Sequence, residues 1–189
     1  MPGPALFLDR DGVVNVDHGY VCTPDRFELV DGIDDLCRRF ATAGYRIVIV
    51  TNQAGIGRGY YTVEQFLTFT AWMVGSFATR GIEIARVYHC PFHPTEGIGN
   101  YRRDSYDRKP NPGMLFRARD ELALDLAGSV LVGDKASDIE AARAAGVGHP
   151  VLFDPDDRQR CHVAAWIPRV RALGEIAPLC CGAARSRNA

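Results

Sequence analysis

Asp9 and Asp11 stand two residues apart directly after a short apolar run, a spacing at which two carboxylates can hold one hard cation while the first also faces a substrate. Gly12 follows and lets the chain turn sharply there. Thr51-Asn52-Gln53, at the end of a β-branched run, offers three uncharged hydrogen-bonding side chains that suit phosphate oxygens. Arg108 and Lys109 place two cations before a helix start, where they can neutralise a phosphate. Gly133-Asp134-Lys135 closes the series, with Asp138 one turn further. Each group alone has a plainer explanation, since Asp-x-Asp is common in loops and Gly-Asp often just ends a strand. Their order and their placement carry the argument.

The elements that must position these residues are legible as alternating runs. Residues 5–8 and 46–50 are continuously apolar or β-branched, as strands buried on both faces are. Between them Leu36, Phe40 and Ala43 recur at helical spacing and Gly44 supplies a stop. Thr62 with Gln65 fits a capping box, and Phe66, Phe69, Met73 and Phe77 make an apolar stripe ending near Gly81. A third strand is expected at 86–89, then a helix capped by Asn111, with Pro112 as its first residue, to about Leu124. Residues 129–132 read as a fourth strand, 139–145 as a helix closed by Gly146, and 151–153 as a fifth strand. This alternation predicts an α/β fold, a three-layer, Rossmann-like parallel sheet with helices on both faces and no large cap domain. One domain over residues 1–178 and a flexible tail at 179–189 are expected. Ligands of such sheets sit beyond the carboxyl ends of the strands, where the polar groups above cluster.

Composition narrows the function classes. With 47% apolar and 24% charged residues, the 189-residue chain is an ordinary globular protein rather than a disordered one. Its formal net charge of −1 gives no field for a nucleic-acid backbone. No stretch reaches the length of a membrane span, and the first eight residues lack the basic start of a signal peptide, so no membrane partner and a cytoplasmic location are expected. The six cysteines are irregularly spaced and read as thiols. Neither Trp72 nor Trp166 marks an interface, and a monomer is expected.

The four groups together resemble the signature of the haloacid dehalogenase (HAD) superfamily: Asp-x-Asp, then Thr, then Lys, then Gly-Asp with a second acid nearby. The resemblance implies a phosphatase in which Asp9 is the nucleophile, forming an aspartyl phosphate, and Asp11 is the general acid and base. It also implies that Thr51 and Lys109 hold the phosphoryl oxygens, and that Mg2+ is held by Asp9, the backbone carbonyl of Asp11, and Asp134. Asp138 either orients water on that metal or favours the start of its own helix.

Longer segments, Asp9 to Tyr20, Thr51 to Gly59, Tyr88 to Pro94, Arg108 to Met114 and Val132 to Lys135, are similar to the D-glycero-D-manno-heptose 1,7-bisphosphate 7-phosphatases. That branch implies a small phosphorylated sugar as the partner, contacted by Asp17, His18, Gly19, Tyr20, Asn52, Gln53, Ala54 and Arg108. Arg108 is the natural fork for a second, non-reacting phosphate. Gly55, Gly57 and Gly59 do not complete a dinucleotide fingerprint, because Tyr60 stands where glycine is needed, and they read as a mobile loop. The branch carries structural zinc on Cys-x-His and Cys-x-Cys pairs. Here Cys90 remains, but Phe92, Ser105 and Asp107 replace the other three ligands, and even with His93 shifted into place no zinc is expected.

Three function classes stay in view. The first is phosphate-ester hydrolysis, of the heptose bisphosphate or alternatively of histidinol phosphate or another small ester. The second is a binding module that kept the fold, against which the five intact motif residues argue. The third is a phosphotransferase, which the short connections disfavour because nothing there would exclude water.

Overall fold

The computed structural model describes residues 2–158 and 163–176. Six strands, β1 (Ala5–Leu8), β2 (Arg46–Asn52), β3 (Ile84–Cys90), β4 (Val130–Gly133), β5 (His149–Phe153) and β6 (Arg169–Val170), form one sheet in the order β3-β2-β1-β4-β5-β6. Every pairing is parallel. The chain winds outward from β1 through β2 to β3, then returns to β4 on the other side of β1. That reversal between β1 and β4 is where such sheets open a crevice for ligands.

Five helices cover the sheet: α1 (Ile33–Thr42), α2 (Ala54–Gly57), α3 (Val63–Thr79), α4 (Gly113–Leu122) and α5 (Ala136–Ala145). Alternate residues of each strand point to opposite faces, so the two layers of core draw on the same strands. Leu6, Leu8, Ile47 and Ile49 pack against Leu36 and Phe40 of α1 and Met73 and Phe77 of α3. Phe7, Val48, Val50 and Leu131 pack against Met114 and Leu115 of α4 and Ala141 and Ala142 of α5. A sheet buried on both faces has no use for polar alternation, which is why β1, β2 and β4 read as unbroken apolar runs.

Helix α3 begins as expected: Gln65 N donates to Thr62 Oγ1 at 3.2 Å and Thr62 N to Gln65 Oε1 at 2.8 Å. Elsewhere the boundaries move. β2 runs on through Thr51 and Asn52, so two expected site residues belong to the strand itself. α4 is capped by Pro112 rather than Asn111, whose amide instead donates to Ser105 O at 3.0 Å, and it stops at Leu122 because Ala123 turns left-handed at φ 50°. α5 starts at Ala136, three residues before the apolar periodicity shows. β6 was not expected; two residues are too few to display a period. Of the glycines expected in a mobile loop, Gly55 and Gly57 lie instead in the helical turn α2, where they serve close packing, and Gly59 follows it at φ +75°. A Cβ on Gly55 would lie 2.5 Å from the Tyr61 ring, and one on Gly57 2.5 Å from Pro91 O.

Among the described residues no helix is long and apolar enough to cross a membrane. Cys22, Cys37 and Cys90 are free thiols. Cys161, Cys180, Cys181 and the expected tail at 179–189 lie outside the described residues.

Candidate active site

Asp9 leaves the end of β1 with its N–H donating to Val132 O of β4 at 3.0 Å, so the chain reaches the crevice already tied to the neighbouring strand. Its buried carboxylate accepts from Lys109 Nζ at 2.7 Å. Lys109 Nζ also donates to Val50 O at 2.8 Å and lies 2.6 Å from Asp138 Oδ1. One ammonium is thus shared between two buried carboxylates, one just after β1 and one in the first turn of α5. Asn52 fixes the backbone that delivers it, accepting from Lys109 N at 3.1 Å and donating to Lys109 O at 3.0 Å.

Asp134, after β4, approaches from the other side. Asp9, Asp134 and Asp138 each offer an oxygen within 4.8 Å of the others. Gly12 makes room for this: at φ +103° it adopts a conformation other residues avoid, and a Cβ there would lie 2.4 Å from Asp134 Oδ2. Lys135 Nζ sits 3.2 Å from Asp134 Oδ2, whereas the buried Oδ1 has no hydrogen-bond partner. Asp138 does two jobs, accepting the Lys135 N–H at 3.0 Å through Oδ2, which secures the start of α5, and meeting Lys109 through Oδ1.

The electrostatics follow from crowding three acids in a largely buried site. Burial holds the Asp9 carboxyl above its ordinary range even though Lys109 pulls the other way. Burial, and then the Asp9 charge, push Asp134 up to about 8. Burial works to lower Lys109, but Asp138 and Asp9 outweigh it and hold the ammonium above its usual value. An unpartnered carboxylate oxygen among three converging carboxylates is a donor set that fits a hard divalent cation.

Asp11 points elsewhere. Its carboxylate accepts from Arg10 Nη2 at 2.7 Å, from Asn15 Nδ2 at 3.1 Å and from Gln53 Nε2 at 2.9 Å. Gln53 Nε2 donates as well to Thr51 Oγ1 at 2.8 Å, and Gln53 Oε1 accepts from Tyr61 OH at 2.6 Å. This network orients Asp11 and Thr51 together. Arg10 is itself fully buried, between the rings of Phe66 and Phe69 and bonded to Val21 O at 2.6 Å. Sequence reasoning passed over it, although a cation between two acids in Asp-Arg-Asp was a signal.

A cavity of about 700 Å³ opens over these groups. Asp9, Asp11, Thr51 and Lys109 line it, and so do seven of the eight expected substrate residues: Asp17, Gly19, Tyr20, Asn52, Gln53, Ala54 and Arg108. His18 does not, since its ring turns outward to Glu28 at 2.9 Å. Lys135 and His93, both already noted in the sequence, also line it, and so do Arg58, Tyr61 and Ser137, which were not singled out because they come from segments that only folding brings together. Arg58 Nη1 lies 2.5 Å from the OH of Tyr20, another lining residue, and its guanidinium pairs with Glu96.

A parallel sheet whose switch point gathers three carboxylates and a lysine fits a phosphohydrolase. The HAD-hydrolase-like family model matches residues 106–152, which hold Lys109 and Asp134. A D-glycero-alpha-D-manno-heptose-1,7-bisphosphate 7-phosphatase from Burkholderia mallei is 51% identical over 165 residues, 87% of either chain. A D-glycero-beta-D-manno-heptose-1,7-bisphosphate 7-phosphatase from Escherichia coli strain K12 is 50% identical over 167 residues, again 87% of each chain. The crystal structure of D,D-heptose 1,7-bisphosphate phosphatase from B. bronchiseptica, complexed with magnesium and phosphate, superposes with a TM-score of 0.81 at 28% identity, covering 95% of this chain and 99% of that one. The chain belongs to the D-glycero-D-manno-heptose-1,7-bisphosphate 7-phosphatase family of HAD-like hydrolases, and it is a phosphoric monoester hydrolase.

Proposed function

We propose that this chain removes the 7-phosphate of D-glycero-D-manno-heptose 1,7-bisphosphate by way of an aspartyl phosphate on Asp9, with Mg2+ as cofactor. The observation that carries the reading is the meeting of Asp9, Asp134 and Asp138 oxygens within 4.8 Å, with Asp9 and Asp138 lining the cavity and Lys109 on Asp9. The names of the relatives supply the substrate, and the magnesium and phosphate of the B. bronchiseptica enzyme agree with the donor set here.

Asp9, Asp134 and the backbone carbonyl of Asp11 would hold the Mg2+, which supplies charge neutralisation between an anionic nucleophile and an anionic phosphoryl group. Asp9 attacks phosphorus, forming a new P–O bond while the bond to the sugar oxygen breaks. Asp11 delivers the proton that the leaving oxygen takes up. Thr51 and Lys109 hold the phosphoryl oxygens. Water then attacks the same phosphorus, Asp11 takes its proton, and inorganic phosphate leaves with the Asp9 carboxylate restored. Asp17, Gly19 and Tyr20 face the sugar, while Arg108 offers its two-pronged guanidinium to the distal phosphate.

Phosphate release from both anomers of the heptose bisphosphate, from histidinol phosphate and from simple monoesters, each with and without magnesium, tests this. The expected result is magnesium-dependent release with the heptose bisphosphate preferred. Equal or faster turnover of histidinol phosphate would end the substrate reading, and no turnover of any ester would end the enzymatic one.

A further inference from the structure

We infer that Arg103 is a positioning residue that braces the segment 91–110 without any metal, and through Phe92 sets Arg108 at the cavity wall. The inference rests on the reading of Arg108 as the distal-phosphate contact.

The zinc ligand set implied by family resemblance does not fit this chain, because each replaced position is engaged in other bonding. The Asp107 carboxylate accepts from Arg117 of α4 at 3.0 Å. Ser105 Oγ accepts from Asp107 N at 3.3 Å, while Ser105 O accepts from the Asn111 amide. His93 Nδ1 accepts from Glu96 N at 3.1 Å, which ties that ring into its own turn. Among the described residues, Asp9, Asp134 and Asp138 are the one group of three or more His, Cys, Asp and Glu side chains close enough to share an ion. A structural zinc site needs four closed nitrogen or sulfur donors, and of the expected positions only Cys90 keeps one, with His93 the single neighbouring nitrogen within the segment.

Phe92 takes over as the pivot. Its ring carries the Arg103 guanidinium on one side, with Cζ 3.8 Å from the centroid, and has Tyr101 beside it at 5.8 Å. Its carbonyl accepts from Arg108 Nη1 at 3.0 Å. The turn around it is closed on itself by His93 N donating to Tyr101 O at 3.1 Å and pinned to the body by Ile98 N donating to Gly57 O at 2.7 Å. The aromatic face and the carbonyl of a single residue therefore join the brace to the substrate wall. A planar cation over a ring holds that ring by electrostatics and cover together, which an aliphatic side chain cannot reproduce.

The test uses the full chain. Elemental analysis after dialysis against zinc should find far less than one zinc per chain; about one per chain held through gel filtration would overturn the metal-free brace. Arg103→Ala should raise KM for the heptose bisphosphate about two- to five-fold, the scale of one exposed cation–π contact, with kcat unchanged. It should leave KM for a monoester without a second phosphate alone, and Arg103→Lys should recover part of the loss. Wild-type constants in Arg103→Ala, or an equal loss on both substrates, would overturn the positioning role. Should the wild-type chain fail to turn over the bisphosphate, the substrate reading falls by itself. The brace is then judged by zinc content and by protease cleavage within 91–110, which Arg103→Ala should accelerate and which, if unchanged, would refute it.

Discussion

Lys109 is the residue on which the site's charge balance turns. Its ammonium answers two buried carboxylates and a strand carbonyl at once, so Lys109→Met leaves Asp9 and Asp138 facing each other without compensation. Unpaired buried charge of that kind costs about 3–5 kcal/mol, and urea unfolding should show a loss of that size together with lost turnover. Gly12→Ala should behave differently. The added methyl meets the Asp134 carboxylate at 2.4 Å in a backbone conformation that alanine resists, so magnesium affinity should fall, as read by calorimetric titration; affinity matching wild type would contradict the role given to that close approach. Asp9, Asp11, Thr51, Lys109 and Asp134 were legible in the sequence because each stands at or beside a strand or helix end that hydrophobic patterning marks. Arg58 and Tyr61 were not, since a cavity wall formed by separate turns leaves no local trace, and the orientation of His18 toward Glu28 is decided by a neighbour ten residues away.

At the scale of the element, local chemistry was readable where a side chain bonds its own backbone. The Thr62–Gln65 capping box is such a case, and Thr62→Ala should cost about 1 kcal/mol in urea unfolding while leaving kcat intact. Position 138 shows where the same logic stopped short. An acid three residues into a helix could be read as a cap or as part of the site, and only the position of Lys109 reveals that each oxygen serves one purpose. The turn α2 was misread for a related reason. Glycine signals freedom when nothing else is known, whereas here Gly55 and Gly57 are required by the nearness of Tyr61 and Pro91.

Taken as a whole, the molecule buries one sheet between two helical layers, and the layers respond to mutation and pH by burial. Phe77, fully buried on α3, fills the first layer, and Phe77→Ala should cost about 3–5 kcal/mol. Cys37 lies in the same layer, where burial, with nearby Asp34 adding to it, pushes its thiol from 9.0 up to about 12. The folded chain therefore keeps a proton that the unfolded chain gives up. Its contribution to stability is complete below about pH 9 and is lost as pH rises toward 12. Urea midpoints across that range should fall more steeply for wild type than for Cys37→Ala; parallel curves would refute the assignment. The order of the sheet is what places β1 beside β4, and with them Asp9 beside Asp134, so the reaction centre is a property of topology as much as of the residues.

The claim beneath all of this is that the Asp9 carboxylate itself becomes phosphorylated. Rapid acid quench of the magnesium-loaded enzyme with heptose bisphosphate labelled in its 7-phosphate, followed by peptide mapping, tests it directly. Transient label is expected on the peptide containing Asp9, released by hydroxylamine and absent in Asp9→Asn, whose turnover should be lower by at least about 10³-fold. Full burst and steady-state turnover with no labelled peptide at any quench time, or label unchanged in Asp9→Asn, would contradict it.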